Sequence, residues 1–364
     1  MVKRERITIK RVASEAEVST QTVSRVLNHR PDVAPETRKR VEEVIERLGY
    51  HPSVLARSLI QRRSYTLGVV TAGLKYIGPS RTLNGIAQQA EAMGYALLLK
   101  ELPGFDTNDV QPLIQSLLSR QVDGILWAVP EIGENRSWLR KRLPDIHVPI
   151  IFLTMAPQPG VSIVTIDNYS GGCLATQHLL DQGYQRIGHI SGPLDWWESR
   201  QRKAGWQDTL TKAGIKVKKN HWVEGNWSSS SGERAFHQLM AQFPDMQAVF
   251  VANDQMALSV LQIACKNNVN VPGALAVVGF DGLEESPYFS PPLTTVNQDQ
   301  NLLGCTAVEE LVQIIEASQQ RMTLPEPKTI VLRSQLIIRE SSTVTAPVEE
   351  QTRKGEVTGT YIEP

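Results

Sequence analysis

Residues 8–28 read TIKRVASEAEVSTQTVSRVLN, and the spacing of their apolar side chains predicts two short helices joined by a tight turn. Apolar residues recur at intervals of three and four in both halves, as they do along the buried face of a helix. In the second half, Gln21, Arg25 and Asn28 then share the exposed face. Such a polar face fits the major groove of DNA, where Arg bonds guanine and Gln bonds adenine. The stretch predicts a helix-turn-helix, although a small helical cap with a solvated face has the same pattern.

The residues around this stretch extend the same interpretation. A third helix is predicted to begin at Pro35 and to end at Gly49, because these residue types suit the two ends of a helix. Residues 1–65 hold 14 Lys/Arg and 8 Asp/Glu, a balance of +6, whereas the rest of the chain has a balance of −6. A basic head on an acidic body indicates that the head meets a polyanion.

From residue 65 onward, apolar strands alternate with helical patterns. Continuously apolar strands separated by helices are typical of parallel sheets covered on both faces. About 270 residues exceed what one sheet comfortably organises, so two α/β lobes are predicted. No repeat is visible in the sequence. The strand candidates are Thr66–Thr71, Ala96–Lys100, Gly124–Ala128, Ile150–Leu153, Ile163–Ile166, Arg186–Ser191, Ala248–Ala252 and Ala276–Phe280.

Composition excludes several classes of protein. The chain has 364 residues, 38 basic and 38 acidic side chains and three cysteines, too few for a disulfide framework. No apolar run is long enough for a membrane helix, and the first residues lack the apolar core of a secretion signal. We therefore expect a soluble cytoplasmic protein with no membrane partner.

Motifs for catalysis are missing from the sequence. It contains no Gly-x-Ser-x-Gly, no His-Glu-x-x-His and no phosphate-binding Gly-Lys-Ser/Thr loop. The seven histidines share no metal-ligand spacing, and His189, inside a strand, is expected to be a core residue. We predict no enzymatic activity, no cofactor and no metal site.

Several further motifs follow in a fixed order over nearly the whole chain, to about residue 340. They are VSTQTVSRVLN (18–28), GYHP (49–52), GPL (192–194), RKAGW (202–206), VANDQMA (251–257), VVGFD (277–281) and PLTTVNQ (292–298). In this order they resemble the lactose-repressor (LacI/GalR) family of bacterial transcription regulators. The resemblance implies an all-α helix-turn-helix head, a hinge, and a two-lobed α/β core like a periplasmic binding protein, with parallel sheets.

The resemblance also implies which residues contact DNA. These are Thr8, Thr20, Gln21, Ser24, Arg25, Asn28, Ala56 and Leu59. The second-helix members read bases, while Asn28 and nearby basic residues hold phosphates. Leu59 occupies the position of a hinge leucine that wedges into the minor groove, beside a small residue, Ala56. A flexible connector with a stray leucine is the alternative. One departure is Glu17, where the family usually has Gly, because a left-handed backbone there costs on the order of 1 kcal/mol.

The same resemblance implies an effector site at Arg202, Trp227, Asn253, Asp281 and Gln298. A guanidinium suits paired hydroxyls or a carboxylate, an indole suits a sugar ring, and ligands of α/β sheets gather at strand ends. The alternatives are that Arg202 is a solvated helix residue, that Trp227 belongs to the core, and that Asn253 and Asp281 only form turns. Asp254 is expected to cap the following helix. Departures from the family pattern at Ala72, Ala128, Thr154 and Gln300 leave the sugar unnamed.

These observations define the predicted organisation. Residues 1–50 form the DNA-binding domain, 51–64 the hinge and linker, 65–341 the effector-binding core, and 342–364 a disordered tail. The first lobe comprises about 65–165 and 297–325, and the second about 166–296 and 326–341.

The predicted function is that of a repressor of carbohydrate-utilisation genes, with operator binding controlled by a small sugar through a population shift. Two heads on a homodimer predict palindromic double-stranded operator DNA. The C-terminal leucine heptads of a tetrameric family member are absent, so we expect a dimer. A purine-type corepressor, a sugar-binding transport protein and an enzyme of sugar metabolism stay open as alternatives.

Overall fold

The computed structural model describes residues 7–27, 30–50, 63–105, 110–139, 143–320, 322–323 and 325–343. Asn28, the hinge positions Ala56 and Leu59, and the tail from residue 344 lie outside the described residues.

The head contains three helices, α1 (Ile9–Glu15), α2 (Thr20–Leu27) and α3 (Pro35–Leu48). Small apolar side chains from all three make its core: Val12, Ala13, Ala16, Val23, Val26, Val41 and Val44. Glu17 turns the chain between α1 and α2 at φ 54° without a glycine, as predicted. Gly49 ends α3 at φ 61°, where its N–H donates back to the carbonyl of Glu46.

Two six-stranded sheets form the core, ordered β11-β5-β4-β3-β1-β2 and β12-β10-β9-β8-β6-β7. The strands are β1 (Thr66–Ala72), β2 (Ala96–Leu102), β3 (Gly124–Ala128), β4 (Ile150–Leu153), β5 (Ile163–Ile166), β6 (Ile187–Ser191), β7 (Trp222–Glu224), β8 (Ala248–Val251), β9 (Ala276–Asp281), β10 (Thr294–Asn297), β11 (Thr329–Leu332) and β12 (Gln335–Ile337). The helices are α4 (Ile77–Ala92), α5 (Gln111–Leu118), α6 (Asn168–Asp181), α7 (Trp197–Lys212), α8 (Ser229–Gln242), α9 (Asp254–Lys266) and α10 (Gln300–Gln319), with 3₁₀ turns at Leu143–Asp145, Lys219–His221 and Ser286–Tyr288.

The predicted strands all form, and the sheets are parallel except where β12 runs against β10. The central strands β3, β4, β5, β6 and β8 are buried along their whole length, which confirms sheets covered on both faces. The sequence pattern missed β7, β10, β11 and β12. Each is three or four residues long and includes polar residues (WVE, TTVN, TIVL and QLI), so no continuous apolar run marks it, in contrast to the four-residue strands β4 and β8.

Two predicted boundaries are wrong. Thr329–Leu332 pairs with β5 in the first sheet, so residues 326–341 do not belong wholly to the second lobe. The predicted tail from residue 342 begins too early, because Ser342 is buried and its hydroxyl donates to Thr294 of β10 at 2.7 Å. The ring of His178 lies 2.7 Å from the same hydroxyl. These hydrogen bonds hold Ser342 against the second lobe.

His189 is a core residue, as predicted. Its ring stacks between Trp206 and Phe250, and Nδ1 lies 2.9 Å from the carbonyl of Phe250. Complete burial lowers the pKa of His189 to about 3, so the imidazole is neutral near pH 7.

The two lobes repeat one topology that the sequence does not reveal. The order β2-β1-β3-β4-β5 in one sheet corresponds to β7-β6-β8-β9-β10 in the other. After β5 the chain crosses to pack α6 against α7 in the second lobe, and after β10 it crosses back to pack α10 against α4. Close helix packing recurs at glycine pairs, Gly172 with Gly205 and Gly85 with Gly304.

The substitution Gly304→Ala tests how much a side chain at this contact between α10 and α4 destabilises the protein. A Cβ at Gly304 would lie 2.3 Å from the carbonyl oxygen of Thr82, an atom of a helix backbone. The overpacking outweighs the better helix propensity of Ala, and we expect a net loss of about 1–2 kcal/mol in denaturant unfolding. Gly104→Ala, which adds a Cβ to open space, is the control. Equal stability of the two variants would contradict the close approach.

Candidate DNA-reading head and effector cleft

The exposed face of α2 carries the predicted base-reading residues. Ser19 caps the helix, its hydroxyl accepting the N–H of Thr22 at 3.0 Å, while Val23 and Val26 bury the opposite side. Thr20, Gln21 and Arg25 are exposed and Ser24 is half-buried. Thr8 is also exposed and lies at the start of α1, without a side-chain capping bond.

Among the described residues of the head, Arg25 has one weak ionic partner. Its Nε lies 3.7 Å from a carboxylate oxygen of Asp32, and both side chains are about half exposed. A pair of this kind contributes little, so the guanidinium is free to exchange Asp32 for a base or a phosphate.

The five predicted effector residues line one cleft between the lobes. Arg202, Trp227, Asn253, Asp281 and Gln298 come from the second-lobe side, and Ala128, Thr154 and the first turn of α4 come from the first. The empty space between the lobes, including the part open to solvent, is about 730 Å³. Gln300 also lines the cleft, whereas Ala72 is not among the lining residues.

Arg202 is the buried charge at the base of the cleft. Its Nε donates to Asn168 Oδ1 at 2.8 Å, and Nη1 donates to the carbonyl of Ala252 and to Asp281 Oδ1 at 3.1 Å. The guanidinium carbon lies 3.8 Å from the ring centre of Phe280. Burial lowers the pKa of Arg202 and raises that of Asp281, and each charge opposes the shift of the other. The ion pair thus offsets part of the cost of burying each charge.

Strained backbone recurs at the cleft. Thr154, Trp227 and Asp281 have φ values of 53°, 72° and 107°, a region that L residues seldom occupy. Each lies at or just after a strand end, where the chain turns to present a side chain to the cleft. Strain of this kind concentrates at functional sites.

Asn253 holds the aromatic wall of the cleft. Its Oδ1 accepts the N–H of Met256, which caps α9, and its Nδ2 donates to the carbonyl of Trp227 at 2.9 Å. The predicted cap at Asp254 is wrong because that carboxylate instead accepts bonds from Leu283 N–H and from the hydroxyls of Ser286 and Thr295. Burial raises the pKa of Asp254 to about 7, and these donors oppose the shift.

Four aromatic rings from both lobes pack on one another, and three of them, Tyr76, Trp196 and Trp227, line the cleft. Trp196 lies 5.8 Å from Trp227, and Tyr76 and Phe105 of the first lobe pack on it at 5.5 and 5.0 Å between ring centres. Trp227 can occupy its place because Gly192 has no side chain, since a Cβ there would lie 2.2 Å from the indole.

A short bridge also joins the lobes beside these rings. The N–H of Trp197 donates to the carbonyl of Glu131, and the N–H of Gly133 donates to that of Asp195, both at 3.0 Å. The start of α7, which carries Arg202, is thereby held to the first lobe.

Sequence reasoning missed Asn168 and Glu198. Asn168 follows β5, so the strand-end rule used for Asn253 could have found it. Glu198 lies one helical turn before Arg202, a spacing that places both side chains on one face of α7. Glu198 is buried, its Oε2 has no hydrogen-bond partner among the described residues, and burial raises its pKa to about 7.

No group of His, Cys, Asp and Glu in the described part of the chain could hold a metal ion. None of the described helices is long and apolar enough to cross a membrane.

A helix-turn-helix head joined in one chain to a two-lobed ligand-binding core defines a ligand-responsive transcription regulator. Comparison with known proteins agrees: residues 8–53 match "Bacterial regulatory proteins, lacI family", and residues 176–342 match "Periplasmic binding protein-like domain". The chain belongs to the LacI family.

Relatives in this family extend over almost the whole chain. The ribose operon repressor of Escherichia coli K12 is 35% identical over 87% of this chain and 96% of its own length. The lactose operon repressor of the same strain is 30% identical over 93% of this chain and 92% of its own length. A crystal structure of the lac repressor dimer bound to operator and the anti-inducer ONPF superposes with a TM-score of 0.81 at 30% identity, over 93% of this chain and all of that one.

The buried ion pair at the base of the cleft is testable by unfolding. Asp281→Ala leaves the guanidinium of Arg202 buried without its counter-ion, and we expect a loss of about 3 kcal/mol. The double variant Arg202→Met/Asp281→Ala should recover most of this loss. Asp245→Ala, which removes an exposed partner of Arg186, should change stability by less than about 0.5 kcal/mol. A small effect of Asp281→Ala in denaturant melts would contradict a buried charge pair.

Proposed function

We propose that this protein represses carbohydrate-utilisation genes by binding a palindromic operator as a homodimer, under the control of a sugar held between its lobes. One observation carries the proposal: the cleft gathers an arginine, buried carboxylates and an indole wall in a chain that also carries a DNA-reading head. The function is binding rather than catalysis, and it is exercised on DNA in the cytoplasm.

On the DNA side, Thr20, Gln21, Ser24 and Arg25 read base edges from α2. Their placement on the polar face opposite the buried valines supports this assignment. Thr8 contacts DNA from the start of α1. Asn28, Ala56 and Leu59 keep the phosphate and minor-groove roles that the sequence suggests.

On the effector side, Asp281 and Arg202 bind hydroxyls and Trp227 stacks on the sugar ring. Oδ1 of Asp281 already accepts bonds from Arg202 and from Gln298 Nε2, whereas no described residue donates to Oδ2. Gln298 completes the site beside that carboxylate. Asn253 acts by positioning Trp227, because both ends of its amide are engaged within the protein.

Control of DNA binding follows from the two-lobed geometry. A sugar that contacts both lobes stabilises one relative placement of the lobes and shifts the population toward it. The first lobes of a dimer, and the hinges attached to them, then present the two heads to the operator differently.

A purine corepressor is the second candidate. The PurR repressor of Photobacterium profundum is 32% identical over 92% of this chain and 98% of its own length. The regulator CelR, whose structure contains cellobiose, is 31% identical with a TM-score of 0.67 over 92% of this chain. The carboxylates of Glu198 and Asp281, which line the cleft with Trp227, favour the sugar because they can accept hydrogen bonds from its hydroxyls.

DNA recognition is tested by selecting binding sites from a random duplex library with the purified protein. We expect an enriched palindrome, and Arg25→Ala should weaken binding to it by at least about tenfold, since a good base contact contributes about 1–3 kcal/mol. Arg234→Ala removes an equal charge from an exposed position of the second lobe and should leave operator affinity unchanged. Failure to enrich any sequence, with or without ligand, would favour a transport protein.

Effector binding is tested by thermal shift against monosaccharides, disaccharides and purines. A ligand at 100 times its dissociation constant stabilises the folded protein by about 2.7 kcal/mol, a readily measured shift. We expect a sugar to stabilise the wild type but not Arg202→Ala. Stabilisation by a purine alone would replace the sugar with a corepressor.

A further inference from the structure

Glu198 brings an unmatched acid into the effector cleft. It lies in the first turn of α7, is 8% exposed, and lines the same space as Arg202 and Trp227. A buried polar atom without a partner is uncommon in folded proteins and needs a physical reason. Oε2 of Glu198 is such an atom among the described residues.

The charges around the cleft do not balance. The lining residues include two carboxylic acids, Glu198 and Asp281, and one cation, Arg202. Arg202 is already matched by Asp281 at 3.1 Å. Behind the lining, Arg136 and Arg200 share the carboxylate of Glu131, each at 3.7 Å, and neither they nor any other described cation lies within 4 Å of Glu198. Among the residues that line the cleft, an ionised Glu198 is therefore a negative charge without an ion-pair partner.

We propose that Glu198 is a specificity-determining residue that restricts the effector to uncharged saccharides and excludes sugar phosphates and sugar acids. This inference rests on the proposed function and names the substrate class of the same site. A sugar hydroxyl supplies the donor that Oε2 lacks, whereas a phosphate or carboxylate supplies only further acceptors and a like charge. Repulsion of this kind is how a site rejects a close analogue of its ligand.

The protonation state of Glu198 determines the pH at which the proposal must be tested. Burial raises its pKa to about 7, with the charge of Glu131 adding to the shift and those of Arg202 and Arg136 opposing it. A protonated carboxyl could donate to a phosphate, which would blur the discrimination. Measurements at about pH 8 keep the group predominantly ionised.

The experiment compares matched pairs of ligands by calorimetric titration of the full-length protein. The pairs are ribose with ribose 5-phosphate, glucose with glucose 6-phosphate, and cellobiose with cellobionate. In any pair of which at least one member binds, we expect the uncharged sugar to bind at least about tenfold more tightly than its charged derivative.

Glu198→Gln should lower that ratio of dissociation constants by at least about tenfold, because the amide keeps the shape but removes the charge. Glu198→Ser, which removes the charge together with most of the side chain, should lower the ratio too and serves as the second variant. Asp195→Asn is the control, since it removes an equal charge from an exposed residue next to the cleft wall. Its ratio should match the wild type.

The outcomes separate this inference from the proposed function. Tighter binding of the anionic member, or an unchanged ratio in both Glu198 variants, overturns the role of Glu198 and leaves the sugar-responsive repressor intact. An operator-binding protein that takes no saccharide of either charge overturns the sugar effector, and the inference with it.

Discussion

The guanidinium of Arg202 must be neutralised and hydrogen-bonded where it is buried, and meeting that requirement organises the cleft. Its partners are Asn168, Ala252 and Asp281, and Gln298 is joined through Asp281. Asn168 and Gln298 lie just after the two strands from which the chain crosses between lobes. The hydrogen bonds of Arg202 thus connect both crossover segments with the strand ends beside them. The pocket lies at this place, where the two lobes meet.

The crossings depend in turn on glycine pairs that let helix backbones touch. Gly85 with Gly304, and Gly172 with Gly205, allow the crossing helix to sit directly on its partner in each lobe. A cysteine follows one glycine of each pair, and its thiol lies against the opposite helix: Cys305 Sγ at 3.5 Å from Gly85 O and Cys173 Sγ at 3.6 Å from Gly205 O. The two lobes are therefore held by equivalent contacts, although their sequences show no repeat.

Much of the fold was predictable from the sequence, and so was the position of the cleft. Long apolar strands and the strand-end rule are local signals, which is why the central strands and the residues beside Asp281 could be placed. The exchange of β11 into the first sheet, the burial of Ser342 and the use of Asp254 depend on partners distant in sequence. Glu198 was missed for a different reason: a lone acid on a polar helix is ordinarily solvated, and only its burial marks it.

The connection from head to core explains how a ligand far from DNA can act on it. Where the chain enters the first lobe, the N–H groups of Ser64 and Tyr65 donate to the carboxylate of Asp123 at 2.9 and 2.8 Å, and the Ser64 hydroxyl donates at 3.1 Å. The entry point is thus fixed to the same sheet whose far end lines the cleft. On that side Thr82 of α4 donates to Gln300 of α10 at 2.8 Å, which links the cleft wall to the crossing helix. Because the entry point of the chain and the cleft wall belong to the same sheet, a displacement of the first lobe against the second carries Ser64 and Tyr65 with it.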